Sequence, residues 1–115
     1  MSPRRWEERV QDILDAIAEI RSFVELMEFT DFQKDLKTMR AVELDFIVIG
    51  EAANAIPEDV QEAYPQLAWQ LMCGMRNRLV HTYFWMSPQI LWDTIQQDLP
   101  PVVESLEKIL RKSKL

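Results

Sequence analysis

The 115-residue chain is predicted to be an all-α protein, an antiparallel helical bundle of four long helices and one short one. Only two residues are glycine, Gly50 and Gly74, and residues with high helix propensity are plentiful. Apolar side chains recur at steps of three and four, and 48% of the residues are hydrophobic, as in a folded chain. A chain of this length builds one core, so residues 1–115 are expected to form a single domain.

The first two long helices follow from local start signals. Ser2-Pro3 predicts a helix over roughly residues 3–28, because serine caps a helix and proline suits its first position. Thr30-Asp31-Phe32-Gln33 predicts a capping box that opens a second helix, which ends near Ile56 before Pro57. The second half of that helix, residues 46–56, is apolar almost all round. Such a helix is buried on more than one side, which favours contact with a second subunit.

The remaining elements are separated by prolines. Pro57-Glu58-Asp59 predicts a short helix that ends near Tyr64. After Pro65, a stripe at steps of four defines a third long helix, which carries residues 76–83 at its C-terminal end. Ser87-Pro88 predicts the start of the last helix, and Pro100-Pro101 must kink or split it. The stripe of the third long helix consists of Leu67, Leu71, Met75 and Leu79.

The net charge of −6 opposes the broad basic surface of a typical nucleic-acid binder. An RNA substrate would need a local positive pocket, and the acidic surface also suits a basic partner protein. The lone cysteine, Cys73, fits a reducing compartment, where it is expected to be a small packed residue. No signal-peptide h-region or membrane-length apolar stretch is present, so a cytoplasmic protein without membrane contact is expected.

The most informative stretch is Arg76-Asn77-Arg78-Leu79-Val80-His81-Thr82-Tyr83, which contains the only histidine of the chain. Arginine binds phosphate through a fixed fork of donors, and histidine moves protons near neutral pH. On a helix Asn77 and His81 share a face, whereas Arg76 and His81 lie about 140° apart. The long arginine stem, fraying of the helix end, or a second copy of the helix could bring the two groups together. In a twofold dimer both copies would line one groove.

These residues suit RNA cleavage without a metal. The 2′-hydroxyl of RNA is the nucleophile, a histidine removes its proton, and a histidine of either subunit protonates the leaving 5′-oxygen. Arg76 offsets the charge that develops on the phosphate. Asn77 could orient the imidazole or hold a phosphate oxygen, and Tyr83 offers a hydroxyl that could bind or be modified. The chain shows no spacing typical of metal ligands, so neither a metal nor a cofactor is predicted.

The pattern Arg-polar-x-x-x-His-x-Tyr at residues 76–83 resembles the signature of HepT-like toxins of the HEPN superfamily. Further segments over roughly residues 5 to 110 are similar to the same family. One segment departs from it, since many relatives have Gly-Val-Asp where this chain has residues 85–87. The similar segments are Ile49-Gly50-Glu51-Ala52, Tyr64-Pro65, Trp69, Gly74 to His81, Tyr83-Phe84, Trp92-Asp93-Thr94 and Asp98 to Pro101.

The resemblance implies an all-α homodimer, or a higher oligomer, with Arg76 and His81 as catalytic residues at the subunit interface. It implies a metal-independent endoribonuclease that acts as the toxin of a toxin–antitoxin pair. The antitoxin of such pairs is a nucleotidyltransferase of the MntA type, which adds AMP to the motif tyrosine, here Tyr83. Asn77 takes the polar motif position. The RNA target, tRNA or mRNA, stays open.

The sequence leaves alternatives open for the roles of two supporting residues and for the function of the protein. Arg78 either holds RNA or forms a surface ion pair. Glu51 lies in an apolar helix, where a buried carboxylate needs a partner, and it either positions Arg76 or Arg78 at the groove or pairs with a structural arginine. The alternative function is a non-catalytic helical module of a nucleotidyltransferase complex, in which Arg76 and His81 bind only nucleotide or protein.

Overall fold

One central helix organises the architecture. In this computed structural model α1 (Trp6–Val24) and α5 (Trp69–Thr82) both pack against α3 (Leu36–Asn54). Residues 4–82 and 87–113 are described, with the backbone alone for residues 78–82. No strand occurs in these ranges, and the predicted all-α bundle is confirmed. The other elements are α2 (Phe29–Phe32), α4 (Glu58–Ala63), α6 (Pro88–Asp93), a π-helical turn (Thr94–Asp98) and α7 (Leu99–Ser113).

The core is built from the apolar stripes of the long helices. Phe46 and Ile49 of α3 are fully buried between the stripes of α1 and the neighbouring helices. Burying each such side chain contributes about 1.5–3 kcal/mol, so these stripes supply most of the stability of the bundle. The stripe of α1 consists of Val10, Ile13, Ile17, Ile20 and Val24, and that of α7 consists of Leu99, Val102, Leu106 and Ile109.

The first helix begins later and ends earlier than predicted. Arg5 has an extended backbone and is the N-cap of α1, and its N–H donates to Glu8 Oε2 at 3.0 Å. That reaching-back glutamate places the helix start at Trp6 instead of residue 3. Ser2 and Pro3 themselves lie outside the described residues. At the other end α1 stops at Val24, so Met27 is not part of it.

The predicted second helix consists of two helices, which corrects the capping box at Thr30. Thr30 lies inside the single turn of α2, where Asp31 Oδ2 accepts the N–H of Glu28 at 2.9 Å. The long helix starts after Asp35, whose carboxylate accepts from the N–H of Thr38 at 3.0 Å and from its hydroxyl at 2.7 Å. These two bonds make Asp35 the effective N-cap, and they lower the pKa of its carboxyl.

The last predicted helix is divided at the prolines, as expected. Ser87 caps α6 through its hydroxyl, which accepts the N–H of Gln89 at 3.1 Å. The π-helical turn follows, and the N–H of Leu99 donates to the carbonyl of Thr94 at its end. Pro100 and Pro101 then occupy the first turn of α7, the part of a helix that tolerates proline.

The outward side of α3 carries a short exposed apolar strip. Leu44 is 63% exposed and Val48 is 38% exposed, one helical turn apart. Within residues 46–56, α3 packs against both α1 and α5, whereas Val48 is left partly exposed, so the contact with a second subunit stays a prediction. None of the helices in the described ranges combines the length and apolarity needed to cross a bilayer.

Candidate active site between α3 and α5

The predicted site residues lie on α5 and on the facing side of α3. Arg76 and Asn77 are in the C-terminal half of α5, and Glu51 is in the last turn of α3. The backbones of Arg78 and His81 also belong to α5, but their side chains lie outside the described part. Tyr83 lies outside the described residues altogether. The structure thus locates Arg76, Asn77 and Glu51 in atomic detail.

The N-terminal half of α5 is anchored in the core. Met72 is fully buried and Met75 is 3% exposed. The indole N–H of Trp69 donates to the carbonyl of Tyr64 at 3.0 Å, which fixes the entry of the helix. Because Met75 points into the core, the next residue, Arg76, is turned toward the edge of α3.

Glu51 is the partner of Arg76. Its Oε1 lies 2.6 Å from Nε of the guanidinium, an ion pair without the alignment of a hydrogen bond. Nη1 of Arg76 donates to Asn77 Oδ1 at 3.3 Å. Two neighbours therefore restrict the guanidinium. Of the two arginines considered for Glu51, Arg76 is the one that the described contacts show.

The exposure of Glu51 corrects the sequence-based view of a buried carboxylate. Its side chain is 59% exposed, and that of Arg76 is 37% exposed. Residue 51 projects from the outward side of α3, so solvent hydrates the carboxylate. An exposed pair of this kind contributes about 0–1 kcal/mol to stability. Its effect is on the position of the guanidinium more than on the stability of the fold.

Gly50 was not singled out for a role by the sequence reasoning. A Cβ atom at this position would lie 2.3 Å from Cβ of Arg76 and 2.7 Å from its backbone nitrogen. The backbones of α3 and α5 are therefore in close contact at the arginine. A glycine inside an otherwise apolar helical segment is the signal that could have indicated this approach.

A second polar group that the sequence reasoning missed is the carboxyl of Asp45. Asp45 lies on α3 and is 6% exposed, and its Oδ2 is buried without a hydrogen-bond partner in the part of the chain that the structure describes. Burial, together with the facing carboxyl of Glu19 on α1, raises the pKa of Asp45 to about 7. In weakly acidic solution the buried Asp45 carboxyl is therefore largely protonated. In the sequence, the signal for this buried carboxyl was an aspartate at the spacing of the buried stripe of α3.

Cys73 has the inert role expected from the sequence. Its side chain is partly buried against the core, and this burial raises the pKa of the thiol. A raised pKa keeps the thiol protonated at neutral pH, so Cys73 is not an activated nucleophile.

The site offers a positive group for an anionic ligand on an otherwise acidic protein. The Arg76 side chain is partly exposed, and a carboxylate and an amide fix the position of its guanidinium. Such a group can bind a phosphate and stabilise charge that develops on it. The same helix carries the histidine, one turn and a residue further on.

This combination of fold and motif defines an all-α bundle of the HEPN-like class. The chain belongs to the HepT-like ribonuclease family, because the family's sequence model, described as "Ribonuclease HepT-like", matches residues 13–109.

Curated relatives agree with this assignment. A Thermococcus cleftensis protein named a probable ribonuclease HepT is 36% identical over 106 residues, which cover 92% of this chain and 96% of the relative. A Methanocaldococcus jannaschii protein that is named as an RNase is 38% identical over 100 residues, which cover 87% of this chain and 83% of the relative. A similarly named Caldanaerobacter subterraneus protein is 34% identical over 88 residues, 76% of this chain and 79% of the relative. No solved structure matches the chain significantly.

Proposed function

We propose that this protein is a metal-independent endoribonuclease and the toxin of a toxin–antitoxin pair. The observation that carries the proposal is the partly exposed Arg76 side chain of α5, whose guanidinium is held by Glu51 of α3. The same helix α5 also bears His81. The family to which the chain belongs is one of ribonucleases, and this supports RNA cleavage as the proposed reaction. The net charge of −6 supports a substrate that is held locally instead of by a broad basic surface.

The proposed reaction is an internal phosphoryl transfer within RNA. His81 removes the proton of the 2′-hydroxyl, whose oxygen forms a bond to phosphorus. The bond from phosphorus to the 5′-oxygen breaks, and the partner subunit's His81 returns a proton to that oxygen. The products are a 2′,3′-cyclic phosphate and a 5′-hydroxyl end. Arg76 stabilises the extra negative charge in the transition state, and Asn77 restrains Arg76.

A homodimer would complete this site. Leu44 and Val48 form an exposed apolar strip on α3, and Glu51 lies one turn beyond it on the same helix. Exposed apolar side chains grouped on one helix face favour association. A twofold dimer through this strip would bring two Arg76 side chains toward one groove.

The antitoxin in this proposal is a small nucleotidyltransferase. Its reaction joins the Tyr83 hydroxyl to the α-phosphate of ATP and releases pyrophosphate. The added phosphate would place negative charge two residues from His81 and compete with RNA for Arg76. The acidic surface of the toxin fits a basic face on such a partner. Both proteins would act in the cytoplasm.

The cleavage proposal is tested with a labelled RNA oligonucleotide that contains every dinucleotide step, in buffer with excess EDTA. Wild-type protein should give fragments that end in 2′,3′-cyclic phosphate. Arg76→Ala and His81→Ala should each lower the rate by at least about 100-fold while the circular dichroism spectrum stays unchanged. An active His81→Ala variant would remove the histidine from the mechanism. If clean wild-type protein cuts no RNA but still binds a nucleotidyltransferase, the non-catalytic partner module is the better assignment.

The antitoxin proposal has its own test. The chain is produced with and without a nucleotidyltransferase encoded beside its gene, and Tyr83 peptides are examined by mass spectrometry. A mass increase of one or more AMP units, with loss of cleavage, is the expected result. Tyr83→Phe should abolish the modification and escape neutralisation. An unmodified Tyr83 in a fully neutralised complex would show that binding alone inhibits the toxin.

A further inference from the structure

At Gly50 the backbones of α3 and α5 are in close contact at the candidate site. A side-chain carbon there would lie 2.3 Å from Cβ, 2.7 Å from N and 3.0 Å from Cα of Arg76. All three atoms belong to the helix backbone or are attached directly to it. No rotation of the flexible arginine side chain can therefore relieve the overlap. Restoring an ordinary contact of about 3.5–4 Å from 2.3 Å requires α5 to move away by roughly 1.2–1.7 Å.

The residue that Gly50 contacts is the one whose guanidinium is held by the neighbouring Glu51. Two consecutive residues of α3 thus act on one residue of α5. Gly50 sets how closely the backbone of Arg76 approaches, and Glu51 sets where its Nε lies. A displacement of about 1 Å at the backbone changes both the 2.6 Å ion pair and the position of the guanidinium relative to a bound phosphate.

We propose that Gly50 is a positioning residue for RNA cleavage: its missing side chain lets α5 seat Arg76 against Glu51. The inference rests on the proposed ribonuclease function and adds a residue that acts through Arg76. Glycine weakens a helix interior, so its presence in the last turns of α3 needs a reason. The close approach of α5 supplies that reason.

Gly74 provides a matched control two residues before Arg76 on α5. A Cβ atom at Gly74 would meet no heavy atom of the described residues within 4 Å. Gly74→Ala therefore makes the same chemical change, in a helix interior, without displacing a neighbour. Any effect of Gly50→Ala that Gly74→Ala does not share comes from the contact between α3 and α5.

The experiment compares Gly50→Ala, Gly74→Ala, Glu51→Gln and the Gly50→Ala/Glu51→Gln double variant, using the labelled RNA oligonucleotide. Gly50→Ala should lower kcat by about 10- to 100-fold with a smaller change in KM, because a 1 Å displacement of a catalytic group costs rates of this order. Gly74→Ala should keep kcat within about twofold of wild type. In the double variant the two losses should combine to less than their product, since both act through the same contact. An unchanged kcat for Gly50→Ala, or losses that multiply fully, would overturn the proposal.

Two measurements by nuclear magnetic resonance (NMR) keep the proposal testable without activity. In wild-type protein the α-protons of Gly50 should show nuclear Overhauser effects to the amide and β-protons of Arg76, and their absence refutes the close approach. The Arg76 Nε–H signal should shift in the same direction in Gly50→Ala as in Glu51→Gln. If wild-type protein cleaves no RNA, the proposed function fails, and these NMR results alone decide whether Gly50 seats Arg76. If Gly50→Ala does not fold, the Overhauser effects in wild-type protein decide whether Gly50 lies against the backbone of Arg76.

Discussion

Replacing Asp45 by asparagine should stabilise the protein in neutral and alkaline solution. Asp45 is 6% exposed, faces Glu19, and has a pKa raised from 3.8 to about 7. The folded state therefore binds a proton that the unfolded state releases, and the free energy of unfolding falls as the pH rises from about 4 to about 7. Asparagine carries no charge and offers a permanent N–H donor to Glu19 in place of the proton.

The size of the effect follows from that pKa. One pKa unit corresponds to about 1.4 kcal/mol, so complete coupling would give at most about 4 kcal/mol at pH 8. Rearrangement of the exposed Glu19 and entry of water relax the pair, and we expect a gain of about 1–2 kcal/mol. For a chain of this length that gain raises Tm by about 4–8 °C.

Thermal unfolding followed by circular dichroism from pH 4 to pH 8 provides the assay, at fixed protein concentration because association also shifts Tm. The difference in Tm between Asp45→Asn and wild type should be small at pH 4 and should grow as the pH rises. Asp15→Asn, which neutralises an exposed carboxyl on α1, is the control and should change stability by less than about 0.5 kcal/mol at every pH. A variant that is less stable than wild type at pH 8, or a difference that does not depend on pH, would refute the reasoning.

Three further predictions concern the site, the proposed interface and the core. Glu51→Gln should lower kcat/KM by about tenfold, because Arg76 is positioned more loosely, and should change stability by less than about 1 kcal/mol. RNA cleavage assays and thermal melts run in parallel will measure the two effects. Leu44→Glu places a charge on the exposed apolar strip and should convert a dimer to monomers in light scattering at unchanged helix content, whereas an unaltered dimer would place the interface elsewhere. Phe46→Ala removes a fully buried ring and should destabilise the fold by about 3–5 kcal/mol in urea unfolding, and a loss below about 1 kcal/mol would contradict its core position.

Helix periodicity and start signals predicted the bundle well where one local signal dominated. Ser87 caps α6 as its pairing with Pro88 indicated, and the two prolines at 100 and 101 divide the last helix. At Thr30 two start signals competed within a few residues. The Asp35 carboxylate, with two hydrogen bonds from Thr38, determined where the long helix begins. Local sequence does not rank such signals, because tertiary packing of α2 through the buried Phe32 also contributes.

The site was predictable in its residue types and less so in its contacts. Glu51 was correctly considered as a partner of Arg76, but its exposure depends on which side of α3 the other helices cover. The same limit applies to Asp45, whose partner comes from α1 and is distant in sequence. Gly50 could be recognised as unusual, whereas its contact with Arg76 requires the spatial pairing of α3 with α5. Periodicity gives the faces of a helix, and packing decides what each face meets.

The π-helical turn before the two prolines has a consequence for how the last helical segment opens. Pro100 and Pro101 contribute no amide protons, so neither can donate a hydrogen bond back to the π-helical turn that lies between α6 and α7. The bond from Leu99 to Thr94 bridges this gap over a wider turn. Native-state hydrogen exchange should therefore divide the segment at residue 99 into two cooperative units, with α7 protected by its own stripe on α1 independently of α6.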